Sequence, residues 1–358
     1  MVVFYNNHNF IPILNSFTMK KQLLLLVLMM AFAAVCNAQR VVALHSATGV
    51  TVFSGVNPFV DAYTAALPGD TIYLSGGSFA NPPLMDKRLL IFGAGYHPSA
   101  TAVTNPTLLT GAFNLGDNAD NLMIQGVQFM AGIHAGNNVP VSSITIKRCR
   151  IDGGINFPGT RATPSTNNAF AECVIIGDVN LSNVTNSSFT NSIIENRVLS
   201  SHSNSIMNNV FLGVSWAHDG VFRYTDNNAI SNNIFINTHH NIIWFGQGNI
   251  LSNNLFVHYA PHFGGTPVLS GNHLNVPLVN IFVSHTGHTF SYDSNFNLVT
   301  PDLFPGTVGG QVGIFGGLFP FKPGGIPQNP HISLRNIAPQ TAPDGRLNIE
   351  VTVSAQDR

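Results

Sequence analysis

Arg197, the stretch WAHDGVFRY (Trp216 to Tyr224) and the stretch THHNIIW (Thr238 to Trp244) gather most of the side chains in this chain that could take part in a reaction. Arg197 or Arg223 could neutralise a carboxylate on a substrate and so acidify the adjacent C–H. His218 or His239, titrating near neutral pH, could then take that proton. The combination suits β-elimination at a uronic acid. Trp216, Tyr224 and Trp244 add flat surfaces on which sugar rings stack, and Asp219 and His240 add polar contacts to a substrate. Hydrolysis fits less well, because glycosidases commonly set two carboxylates across the bond, and only Asp219 and Asp226 lie near enough in sequence to do so. The competing explanation is that these are isolated surface side chains with no joint role.

A metal site is not expected. His239 and His240 are adjacent, and adjacent side chains on a strand point to opposite faces. Ca²⁺ would need a cluster of acidic oxygen ligands, which this region lacks. No cofactor is expected on the same grounds.

The elements that would position these residues come from a repeat. SNNIF (Ser231 to Phe235) recurs as SNNLF (Ser252 to Phe256), with MNNVF (Met207 to Phe211) as a looser copy. Aligning the apolar pairs in GVQF (from Gly126), RCRI (from Arg148), ECVI (from Glu172), NSII (from Asn191), NNVF (from Asn208), NNIF (from Asn232) and NNLF (from Asn253) gives steps of 22, 24, 19, 17, 24 and 21 residues. A period near twenty, with no helical periodicity between Asn121 and Val283, describes rungs of a β-solenoid with loops of different length inserted on one side. On this alignment Arg197, His218 with Asp219 and Arg223, and His239 with His240 come from three consecutive rungs. At a rise of about 4.8 Å they could lie within about 10 Å of one another.

Asn191, Asn208, Asn232 and Asn253 share the position before the final strand of each rung. Asparagine tolerates the left-handed conformation of a tight bend, and its amide both donates and accepts, so a stacked ladder is expected at these four residues. Arg148 and Glu172 occupy the same position higher up and should form an ion pair; one residue on, Cys149 and Cys173 stack as buried thiols. Inward-facing stacked side chains rarely meet the dihedral demands of a disulfide, which favours free thiols.

Before the repeats, NPFVDAYTAALPGD (Asn57 to Asp70) reads as a short helix with Asn57 as N-cap and Pro58 at its first position. Phe59, Ala62, Tyr63, Ala66 and Leu67 share one face. That helix, followed by DTIYLSGGSF and the Asn-x-hydrophobic rungs, resembles the right-handed parallel β-helix proteins of the pectin lyase-like superfamily, of the secreted bacterial type, over about Val41 to Ser284. The resemblance implies an all-β, right-handed parallel β-helix with an N-terminal capping helix, and a catalytic or binding face on the side of the inserted loops. It does not choose a function, since that superfamily holds lyases, hydrolases, esterases and non-catalytic surface proteins. Polygalacturonase-like Asn-Thr-Asp, Asp-Asp and Gly-His-Gly motifs are not found. NIIWFGQGN is similar to the pectinesterase Asp-Phe-Ile-Phe-Gly element, but Asn241 stands where the catalytic Asp would be.

Met19, Lys20 and Lys21, the apolar run from Leu23 to Val35 and CNA ending at Ala38 read as a secretory signal cut after Ala38, preceded by an upstream extension with the start at Met19. Residues 1–38 are therefore set aside, 39–302 form the β-helix, and 303–358, Gly- and Pro-rich and then alternating, are expected to cap its C-terminal end as a strand pair. The product is expected in the periplasm, on the cell surface or in the medium, as a monomer without a membrane span in the mature chain. Charged residues make up only 9% of the sequence and the formal net charge is −1. This excludes the basic face that nucleic acid requires and leaves polysaccharide as the candidate partner. Two functional readings follow. The first is a non-catalytic glycan-binding or cell-envelope protein; the alternative is a polysaccharide lyase acting on uronate-containing glycans.

Overall fold

The computed structural model describes residues 40–213 and 220–355. The chain coils as a parallel β-solenoid of about nine turns. Three sheets form its sides: a long one of 12 strands from Gly49–Ser54 to Val268–Ser270, a middle one of 9 from Gly77–Ala80 to Leu255–Phe256, and a short one of 8 from Phe113–Leu115 to His262–Gly265. Only the first two strands of the long sheet, Val41–Ser46 and Gly49–Ser54, pair antiparallel to their neighbours.

The register reproduces the repeat. In the middle sheet Gln128 pairs with Arg150, Arg150 with Val174, Val174 with Ile193, Ile193 with Val210, Val210 with Ile234 and Ile234 with Leu255. Strand side chains alternate in direction, so one residue of each short strand enters the interior and stacks on its equivalents. Phe211, Phe235 and Phe256 stack almost face to face with centroids 4.7 and 4.8 Å apart, and Phe170 lies 4.6 Å from Phe189 in the long sheet. The inserted residues fall at two corners rather than one, with 157–164 between the short and long sheets and 236–240 between the middle and short sheets.

At the corner entering the middle sheet, Gly126, Arg148, Glu172, Asn191, Asn208, Asn232 and Asn253 all have positive φ, between 49° and 69°. The bend is therefore where the repeat puts it, but the amide ladder is not. It runs one residue later, through Asn209, Asn233, Asn254 and Asn272, each Nδ2 donating to the next Oδ1 at 3.0 Å. The left-handed residue turns its side chain outward. The next one turns inward, where the amide reaches its copies and the backbone of the neighbouring rungs. Ser192 and Cys173 extend this column downward by accepting and donating at the same position.

Cys149 and Cys173 are free and fully buried. Burial pushes the Cys149 thiol up to about 12 and raises that of Cys173 as well. At pH 8 neither should react in the folded protein with a water-soluble thiol reagent, whereas both should react in denaturant; peptide mapping by mass spectrometry checks this, and labelling of either without denaturant would contradict the burial.

The helix α1, Pro58–Ala65, follows Asn57, which makes no side-chain capping bond. Phe59, Ala62, Tyr63 and Ala66 are buried, but Leu67 is 68% exposed because the chain leaves the helix in an extended conformation at Ala66. Lys87 donates to the carbonyls of Tyr63 and Ala66, satisfying the helix end. No helix among the described residues is long and apolar enough to cross a membrane.

The Gly- and Pro-rich segment does not close the end of the coil. It runs along the side, crossing rung after rung at the positive-φ corner. Thr307 pairs with Asn232, Asn191 Nδ2 donates to the carbonyls of Ile314 and Gly316, and the Gln328 N–H reaches Gln125. Glycine is favoured where this segment's backbone takes a positive φ and passes close against side chains of the coil. A Cβ on Gly317 (φ +73°) would lie 2.6 Å from Asn208 Nδ2, and one on Gly325 (φ +58°) would lie 2.0 Å from the Tyr96 ring.

Together with Ile281, Phe282, Phe296 and Leu298, this segment covers the outer face of the middle sheet, burying Val174, Ile193, Val210, Ile234 and Leu255. That is the reason for the apolar pair in SNNIF: Phe235 fills the interior, and Ile234 meets the cover. The terminal strands His331–Ile337 and Ile349–Ser354 pair only with each other among the described residues. Val268 and Leu269 on the last strand of the long sheet stay 58% and 50% exposed.

Candidate functional site

The short sheet carries the face on which the sequence concentrated its chemistry. Phe222–Arg223 pairs with Asn241–Gln247, with Phe222 opposite Ile243 and Arg223 opposite Trp244. Phe222 and Ile243 point inward and are buried; Arg223 and Trp244 therefore share the outer face, one rung apart. The guanidinium carbon of Arg223 lies 5.0 Å from the Tyr224 ring centre and 5.4 Å from that of Trp244. Trp244 stacks on Phe245 at 5.2 Å, and Phe245 on Tyr224 at 5.4 Å. Four residues from two rungs thus make one platform, in which Tyr224 and Phe245 are each 53% exposed.

Tyr224 and Phe245 are also conformationally unusual. Tyr224 directly follows the strand Phe222–Arg223 and Phe245 sits at an irregularity within Asn241–Gln247, both in the left-handed region, at φ 55° and 56°. Most other non-glycine corners of this kind hold Asn or Ser, which tolerate that geometry, whereas a bulky aromatic there is strained. The strain is accepted at the place where two large rings reach solvent together, the pattern expected of a functional surface rather than of a corner chosen for stability.

Further along, His239, His240 and His258 form a run with successive ring centres 6.4 Å apart, and Tyr259, 71% exposed, stacks on His258 at 4.8 Å. His262 Nδ1 lies 3.1 Å from the Ile243 carbonyl. No group of three or more His, Cys, Asp or Glu among the described residues is arranged to hold a metal ion.

Arg197 stands apart from this cluster. It belongs to the corner before Val198, and it is Leu199, not Arg197, that pairs with Arg223. Its guanidinium forms an ion pair with Asp178 of the preceding rung, with Nη2 2.8 Å from Oδ2, while its backbone N–H donates to Asp178 Oδ1. Of the residues expected from sequence, Arg223, Tyr224 and Trp244 come together, His239 and His240 lie on the neighbouring loop, and Arg197 is committed to a corner. Trp216, His218 and Asp219 lie outside the described residues.

Phe245, His258 and Tyr259 were not anticipated. None of the aligned corner positions marks Phe245, which lies eight residues before Asn253 within the strand Asn241–Gln247. No family model matches the chain, and no curated protein is significantly similar to it. Fold and surface define the protein as a parallel β-solenoid with an aromatic and arginine platform on its short sheet.

Proposed function

We propose that the protein is an exported, right-handed β-helix protein of the pectin lyase-like kind that binds acidic glycans through the Arg223–Trp244 platform without cleaving them. The exposed, strained pair Tyr224 and Phe245 supports this reading most directly. Rings of this size supply area for stacking a sugar face, and Arg223 between Tyr224 and Trp244 offers a cation to a uronate carboxylate. A solenoid face suits an extended chain, because equivalent positions recur about every 4.8 Å along it. In this reading α1 caps the N-terminal end of the coil, and the product acts at the cell envelope.

Affinity electrophoresis in gels containing polygalacturonate or alginate tests the proposal, alongside absorbance of unsaturated product in solution. Retardation without absorbance is expected. Arg223→Ala and Trp244→Ala should each weaken binding about tenfold, equivalent to about 1.4 kcal/mol. An absorbance rise abolished by His239→Ala would instead establish a lyase, and no retardation on any polyuronide would sink the glycan reading.

A further inference from the structure

The cover and the middle sheet leave a gap between them. It is a cavity of about 340 Å³ walled by Tyr96, His97, Phe290, Tyr292, Phe296 and Phe321, with Ile193 of the middle sheet in its lining. These walls are held from behind. The backbone at Gly325 passes against the Tyr96 ring. The Tyr292 hydroxyl lies 3.4 Å from the Tyr96 carbonyl, and the His97 ring meets Tyr292 edge-on at 4.6 Å. On the far side Phe296 packs against Phe282 at 5.3 Å and His285 at 4.5 Å. Arg150 stacks on both Phe290 and Tyr292 and ion-pairs with Asp152 at 2.7 Å. The Phe290 N–H donates to Glu195 at 2.7 Å. Rings fixed in this way do not collapse into the space between them.

One polar group is aimed along the wall. Ser294 lines the cavity, and its hydroxyl lies 2.9 Å from Nδ1 of His285, which is 7% exposed. The other ring nitrogen of His285 is buried with no hydrogen-bond partner among the described residues. Burial lowers the pKa of both His285 and His97, which favours the neutral imidazole in each. Among the described residues the lining includes no Asp, Glu, Lys or Arg. A charged ligand would lose its hydration there without a counter-charge. A neutral ring would regain the contacts that close packing supplies elsewhere in a protein interior.

We propose that this cavity is a binding site for one uncharged aromatic molecule of up to three rings, stacked between the Tyr292 and Phe321 walls with a hydroxyl or amine placed on Ser294. Its volume falls at the lower end of the range for small-molecule sites, about 300–1,000 Å³, which suits one such molecule and not an oligosaccharide. The site lies on the covered middle sheet, away from the platform on the short sheet, and does not depend on the glycan reading.

The test is titration of the full chain with the neutral dye N-phenyl-1-naphthylamine, followed by fluorescence. Saturable binding at one dye per chain is expected, reversed by 2-naphthol and at least tenfold less effectively by naphthalene-2-sulfonate. Ser294→Phe, which fills the cavity, should weaken binding at least tenfold. If that variant does not fold, Asn297→Trp at the exposed rim provides the same readout. Binding that never saturates, or saturable binding unchanged in the folded variant, would overturn the site. Equal competition by the sulfonate would overturn its preference for uncharged ligands.

Discussion

Asn233→Ala is expected to lower folding stability by about 3–5 kcal/mol, and Asn232→Gly, one residue earlier, by about 1 kcal/mol. Asn233 is completely buried, and its carboxamide makes four hydrogen bonds. Its oxygen accepts from the backbone N–H of Asn209 at 2.9 Å and from Asn209 Nδ2 at 3.0 Å; its nitrogen donates to Asn254 Oδ1 at 3.0 Å and to the Ile206 carbonyl at 2.9 Å. Truncation to alanine strands buried donors and acceptors in two rungs, and each such group costs about 1–3 kcal/mol when left unmade. Asn232 differs because glycine takes its φ of 56° without strain, and the loss is confined to its contacts with Thr307. Urea denaturation of both variants measures the difference. Equal losses would mean that the inner column does not hold the rungs together.

Glu172→Ala should cost about 3–5 kcal/mol, the range for breaking a buried ion pair from one side. Glu172 is 1% exposed and neutralises two cations at once, Arg148 Nε at 2.7 Å and Lys147 Nζ at 3.0 Å, with Arg148 fully buried. Removing the carboxylate leaves positive charge in a low-dielectric corner beneath the cover. Removing the fully buried cation as well, as Arg148→Met with Glu172→Leu, should recover at least half of the loss, because the larger desolvation cost goes with Arg148 while Lys147, 18% exposed, can turn to solvent. Asp178→Ala is the contrast. Its pairing with Arg197 is 25–33% exposed, and a screened pair of this sort is worth about 0–1 kcal/mol. A Glu172→Ala variant as stable as Asp178→Ala would show that the corner charge is solvated in solution.

The two corner residues were legible as a pair in the sequence for the same reason that the repeat was. Strand register is local arithmetic once the inward positions are recognised, and the alignment that stacked Arg148 on Glu172 also stacked Cys149 on Cys173. Assigning the ladder to Asn191, Asn208, Asn232 and Asn253 failed for an equally local reason. The repeat placed the left-handed bend correctly, but the residue at the bend turns its side chain outward and it is the next amide that faces its copies.

The platform was half legible. Arg223, Tyr224 and Trp244 stood out as residue types, but Phe245 resembled one more core phenylalanine in NIIWF until the bend at φ 56° turned it outward onto Tyr224. Arg197 stood out on the same basis and proved to serve Asp178, because sequence reports the presence of a charge but not the geometry of its nearest counter-charge.

By itself the sequence determined a β-coil, its rung lengths and the left-handed corner with the apolar pair that follows it, because a short strand, a left-handed bend and an inward apolar residue are all specified within a few neighbouring positions. Only the tertiary structure decided what lies outside the coil. The cover meets its rungs across long separations, such as the 123 residues between Asn191 and Ile314, and no periodicity links a Gly-rich segment to the sheet it crosses. Ile234, Val210 and Leu255 are apolar on an outward face because that segment returns to bury them. The aromatic cavity exists because its return leaves a gap over Ile193.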